Sequence, residues 1–226
     1  MAASRVGSTL SAEAYDRLRA ELLRGCFTPG SKLRIGEIAD RFSVSPSVLR
    51  EAMTRLAQDG LLSASPQRGF SVPELTAGLL EDLTRARRII EAAALRESIA
   101  DGDLAWESLV LAAHHTLEKT RFTDEGGHIT GEWDRAHRAF HAAILAGGRS
   151  ETLAKVATDL RARSELFVHW SRELVADETR DVPEEHRRIA ELSVARDVDG
   201  AVEALECHIQ RSADVLIASA GSQISA

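Results

Sequence analysis

Apolar positions recur at intervals of three and four residues along most of the chain beyond residue 75, the mark of amphipathic helices. In LLEDLTRARRIIEAAALRESIA this spacing places Leu79, Leu83, Ala86, Ile90, Ala93 and Leu95 near one face. DGD at 101–103 interrupts that helix, and Asp103 is placed to cap LAWESLVLAAHHTLEKT. RFTDEGGHITG is a loop by its Gly, Thr and Asp content. The next helix runs through Leu145 and stops at Gly147-Gly148. Ser150 then opens ETLAKVATDLRARSELFVHWSREL, Val182-Pro183 opens EEHRRIAELSVA, and RDVDG leads into AVEALECHIQRSADVLIASA. Six helices with short connections predict an antiparallel bundle over 76–226.

The first 75 residues follow another plan. A helix over 11–24 ends at Gly25, and FTPGSKL is a turn by its Pro-Gly. Two short helices, IGEIADRF and PSVLREAMTRLAQDG, flank SVS, and LLSASPQRGFSVPEL suits two short strands around a turn. This order is that of a winged helix-turn-helix. The fold class is therefore mainly α: an N-terminal winged helix-turn-helix domain over 1–75, then an all-α bundle.

Charge sharpens the division. The whole chain carries a net −7, but residues 1–75 hold 10 Lys and Arg against 8 Asp and Glu. The acidic excess therefore lies beyond residue 75, and this asymmetry points to nucleic acid at the N-terminal end. No apolar run approaches the ~18 residues of a membrane span. The two cysteines, Cys26 and Cys207, lack CxxC spacing, and MAASRVGSTLSAEAY has no signal-like apolar stretch. A cytoplasmic location is expected.

In the second helix of the pair, Ser45 is the expected cap and Pro46 the first residue. With Val48, Leu49, Ala52, Met53 and Leu56 inward, Ser45, Ser47, Arg50 and Thr54 face out at the end that meets base edges. Arg50 can bond guanine bidentately, the serines can reach phosphates, and Gln67 and Arg68 stand at the wing tip. The competing role for Arg50 is a surface salt bridge with Glu51.

The stretch from YDRLRAELLRGCFTPGSKLRIGEIADRFSVSPSVLREAMTRLAQDGL to RGFSV resembles the N-terminal domain of the GntR family of bacterial transcription regulators. The resemblance implies DNA contacts at Ser45, Ser47 and Arg50, with Arg68-Gly69 at the wing tip. Pro46 is a departure, since many members carry Arg there, so operator sequence does not transfer from a relative.

In WDRAHRAFHAAI, His137 and His141 share one helical face, and Asp134 lies one turn upstream of His137. Alone, such a pair fits core packing as well as metal ligation. The bundle, however, resembles the FCD domain of the FadR-type branch over roughly 79–220. In much of that branch an Asp-x-x-x-His helix and one His from each of two later helices hold a divalent metal. That resemblance assigns His141, His186 and His208 as ligands and places His137 where the family more often has Asp. Asp134 is then a substitute ligand or a partner of one. Four imidazoles favour zinc or nickel over harder cations and leave the 2+ charge uncompensated, which calls for a small carboxylate effector. Arg87 matches a family position near the effector pocket; Arg161 and Arg163 are further candidates. His114, His115, His128 and His169 match no ligand position, and Trp106, Trp133 and Trp170 are expected to pack.

These readings converge on a homodimeric repressor that is not an enzyme, binding double-stranded operator DNA, a divalent transition metal and a small carboxylic acid. Two alternatives stand beside it: a helical metalloenzyme using the His cluster, and a DNA-binding regulator whose four-His metal is purely structural.

Overall fold

The computed structural model describes residues 2–74, 76–126, 129–172 and 180–223, without the side chains of 2–9, 168–172 and 219–223. His128 lies outside the described residues, as do the side chains of His169 and Trp170.

The N-terminal unit is built from α1 (Ala2–Leu23), β1 (Lys32–Leu33), α2 (Ile35–Phe42), α3 (Pro46–Gln58), β2 (Ser63–Ser65) and β3 (Gly69–Ser71). Gly25 follows α1 at φ +71°, and the Cys26 amide closes back on the Glu21 carbonyl, so the predicted glycine stop holds. The helix itself starts well before residue 11. Ser45 caps α3 by accepting from the Val48 amide, with Pro46 at the first helical position. Leu49, Ala52, Met53 and Leu56 are buried against Leu18, Leu22, Ile38 and Phe42. The strands form an antiparallel sheet in the order β1-β3-β2, with Leu33 and Ala64 flanking Phe70. The two-residue strand β1 was not expected, because its pairing is set by tertiary closure and not by any alternation of its own.

Among the described residues six helices follow: α4 (Ala77–Asp101), α5 (Leu104–Lys119), α6 (Gly131–Ile144), α7 (Glu151–Arg172), α8 (Val182–Val194) and α9 (Val198–Gln223). Side-chain caps from Thr76, Asp103, Thr130 and Asp181 satisfy first-turn amides of α4, α5, α6 and α8. The main core cluster is centred on Leu95, Ile99, Val110, Phe140, Ile144, Ile189, Leu205 and Ile209, and a smaller one joins Leu80, Leu83, Phe167, Ala213 and Leu216. Trp106 and Trp133 pack in the main cluster, and the Trp106 indole donates to the Ala143 carbonyl at 2.9 Å.

The buried face of α4 departs from the apolar pattern. Leu79 and Ala93 are exposed, whereas Leu80, Thr84, Arg87, Glu91, Ala94 and Ser98 are buried with Leu83 and Leu95. The pattern misleads because two charged residues, paired with each other and with α7, occupy the centre of the buried stripe. None of the described helices is long and apolar enough to cross a membrane.

Candidate functional site

Helix α6 holds His137 and His141 one turn apart, α8 supplies His186 and α9 supplies His208. These helices bring one donor nitrogen from each of the four rings within 4.8 Å of one another. The rings of His141 and His208 stack at 5.3 Å, and His137 and His186 meet each other edge-on at 5.0 Å. His141, His186 and His208 are buried and His137 is half-buried, stacked on Trp133.

The electrostatics suit neutral imidazoles. Burial, reinforced by Arg161 and the neighbouring histidines, holds His141 well below its usual range. Burial likewise lowers His208 to about 4, against the opposing pull of Glu185. Both ring nitrogens of His141 are buried with no hydrogen-bond partner, an arrangement that leaves the lone pair of the neutral ring unused. A metal ligand needs just this state: a neutral ring, an open nitrogen and three similar rings alongside. The donor set therefore fits a divalent ion.

Outside the rings lie groups that sequence reasoning did not identify. Glu185 lies 2.8 Å from His208 Nδ1, closer than Arg180 Nη2 at 3.3 Å, and with the carboxylate accepting from Nδ1–H the Nε2 of that ring is left as an acceptor. Arg180 Nε clasps the other oxygen of Glu185 at 2.9 Å. Burial works against the Glu185 anion, yet the bonds from His208 and Arg180 hold its carboxyl far below the ordinary range. The available signal was Glu185 beside His186 in EEHRR; Arg180 had none.

Arg161 of α7 reaches the cluster: Nη2 lies 3.3 Å from His137 Nε2 and Nη1 donates to Glu91 at 3.3 Å. Arg87 Nε donates to the other Glu91 oxygen at 2.6 Å. One carboxylate thus serves two buried guanidiniums. Burial, with the Arg87 charge, lowers Arg161 to about 10 despite Glu91. The Nε of Arg161 is buried without a partner. Arg163 lies elsewhere, with its side chain over Gly60 of the winged unit. Asp134 is not in the convergent set either; its carboxylate is bound to Arg19 at 2.6 Å, and Arg138 stands 3.5 Å away. The imidazole that joins His141, His186 and His208 in space is His137. His115 is exposed and His114 half-buried against Phe140, away from ligand positions.

On the winged unit, Ser45, Ser47, Arg50, Thr54, Gln67, Arg68 and Gly69 are all exposed. Ser45 and Ser47 hydroxyls are 2.9 Å apart at the start of α3. Arg50 takes part in none of the salt bridges found among the described residues, so the competing pairing with Glu51 is not formed. Gln67 adopts φ 68°, a left-handed conformation that is uncommon for a side chain of its kind and tightens the wing tip.

Residues 10–72 match the model of bacterial regulatory proteins of the gntR family, and residues 82–211 match the FCD domain. The chain belongs to the GntR family of bacterial transcription regulators. It is 32% identical to the HTH-type transcriptional repressor GlaR of Escherichia coli K12 over 204 residues, 88% of this chain and 92% of that protein. It is 31% identical to the uncharacterized HTH-type transcriptional regulator BphR of Paraburkholderia xenovorans LB400, covering 89% of this chain and 83% of the relative. Its fold is also that of E. coli McbR/YncC, with a TM-score of 0.73 at 23% identity over 92% of this chain and 96% of the other. This GntR regulator is accordingly not an enzyme, and the metalloenzyme alternative falls.

Proposed function

We propose that this regulator is a homodimeric, cytoplasmic repressor whose FCD domain binds one divalent transition metal on His137, His141, His186 and His208, with a small carboxylate beside it. The buried convergence of four imidazoles, with His141 lacking any other partner, carries this reading. The all-imidazole donor set favours zinc or nickel. When bound, the metal supplies positive charge and a Lewis-acidic position for an anion.

The chain's own residues supply the rest. Glu185 holds His208 in one tautomer, and Glu91 with Arg87 positions Arg161 next to the cluster. The unpartnered Nε of Arg161 gives an incoming carboxylate a charged donor in a dry setting, where such bonds are strongest. Ser45, Ser47 and Arg50 read the major groove, while Gln67 and Arg68 follow the backbone or minor groove from the wing. Two copies place two α3 helices on half-sites about 34–36 Å apart. The acid changes operator affinity by binding one dimer geometry better than the other. Repression is supported by likeness to a relative named as a repressor.

The test uses full-length protein stripped with chelator and an operator duplex selected from random DNA. Zn2+ should raise the melting temperature, and at least one of a panel of small carboxylic acids should then alter operator affinity. No response to Zn2+ in either assay would overturn the reading. The four-ligand count favours a second reading, a closed structural site; stabilisation by Zn2+ with no acid acting would select it.

A further inference from the structure

Arg19 belongs to the winged unit, yet both of its ionic partners belong to the bundle. From α1 its Nη1 donates to Asp134 Oδ2 of α6 at 2.6 Å, and its Nη2 donates to Glu165 Oε2 of α7. All three side chains are less than a tenth exposed. Arg19 makes the shortest ion pair found for each carboxylate among the described residues. Arg138 stands 3.5 Å from Asp134 and is only partly buried.

Helix α7 is further embedded in the winged unit. Leu166 is part of that unit's hydrophobic core, 1% exposed among Leu18, Leu22 and Leu49. Arg163 covers Gly60, where a Cβ would stand 2.3 Å from its Cγ and where φ is +77°. A side chain at position 60 would have to push the Arg163 side chain off this contact and adopt a strained left-handed backbone.

The same two helices carry the site. Asp134 precedes His137 by three residues on α6, and Glu165 follows Arg161 by four on α7. Each is one turn from a group in or against the histidine cluster. A rotation or shift of either helix at the cluster therefore moves a carboxylate of the triad. Buried ion pairs respond sharply to such shifts, because a partially separated pair leaves a desolvated charge without compensation.

We propose that Arg19, clasped between Asp134 and Glu165, is an interdomain latch through which α6 and α7 transmit occupancy of the histidine cluster to the DNA-binding unit. The coupling rests on the metal-centre reading; the latch itself does not.

Hydrogen exchange on the full-length protein, chelator-stripped and Zn2+-loaded, separates the two. In the stripped protein, Arg19→Gln should speed exchange of α1 amides by about tenfold or more, with α8 and α9 unchanged. Adding Zn2+ to wild type should change exchange in both α6 and α1. In Arg19→Gln the change should stay within the bundle. Because Arg19→Gln strands two buried acids and could unfold the unit, the neutralised triple variant Arg19→Met/Asp134→Asn/Glu165→Gln is measured alongside. It should keep the fold and lose the α1 response. If α1 responds to Zn2+ equally with and without Arg19, the coupling is overturned while the metal centre stands. If Zn2+ protects nothing in wild type, the metal reading falls and the coupling with it. Unchanged α1 exchange in stripped Arg19→Gln overturns the latch itself.

Discussion

Nη2 of Arg161 lies 3.3 Å from Nε2 of His137, so a buried guanidinium touches the histidine cluster. A guanidinium only donates, and Nε2 must therefore offer its lone pair. That lone pair cannot also bind a metal. A divalent ion held by His137 through Nε2 would have to take the place of Arg161, leaving that guanidinium as a charged donor beside the site.

Arg161→Gln should then act with opposite signs on the two ligands. Removing a like charge should tighten Zn2+ binding measured without acid. Removing the anion's donor should weaken the active carboxylic acid by about 10- to 100-fold. Calorimetric titrations of each ligand check both directions; a parallel loss of both would contradict the assigned role.

Glu185→Gln is nearly isosteric but no longer imposes the Nδ1–H tautomer on His208. Zn2+ affinity should fall about 10- to 100-fold while the helical circular dichroism stays unchanged. Full affinity in this variant would show that His208 needs no orienting carboxylate.

Arg50→Ala should lower affinity for the selected operator by about 1–3 kcal/mol, with much smaller loss on random duplex and no change in melting temperature. Equal affinity for operator would remove Arg50 from the reading face.

The metal-free protein should lose stability in mild acid. His208 binds its proton at about 4 when folded, against 6.5 for an ordinary histidine. Between these values the unfolded chain holds more protons, so unfolding free energy rises with pH across that window and is fully developed above about 6.5. The contribution from His208 is on the order of 3 kcal/mol, and His141 adds in the same direction. Urea midpoints of chelator-treated protein at pH 5 and pH 7 measure it; a higher midpoint at pH 5 would contradict it.

Much of this was legible in the sequence because it depended on local chemistry. Ser45-Pro46, Asp103 and Gly25 announce helix ends wherever they occur, and the six bundle helices follow from spacing. The family pattern pointed to His141, His186 and His208 before any distance was known. What remained hidden was set by contacts distant in sequence. The sequence does not single out Glu91, and singles out Arg87 only by family likeness, because their burial in the stripe of α4 depends on packing against Arg161 of α7, which shares the Glu91 carboxylate with Arg87. Arg19 looks like any helix arginine, since its partners lie 115 and 146 residues away. Asp134 looked like a ligand because its spacing suited one, and only the third dimension assigns it to Arg19.

The most direct test of the metal centre is Zn2+ titration of chelator-stripped wild type beside His141→Ala, with elemental analysis of the loaded protein. The account predicts one ion per chain in wild type and an affinity at least about 100-fold weaker in His141→Ala. No bound ion in wild type, or undiminished binding without His141, would contradict it.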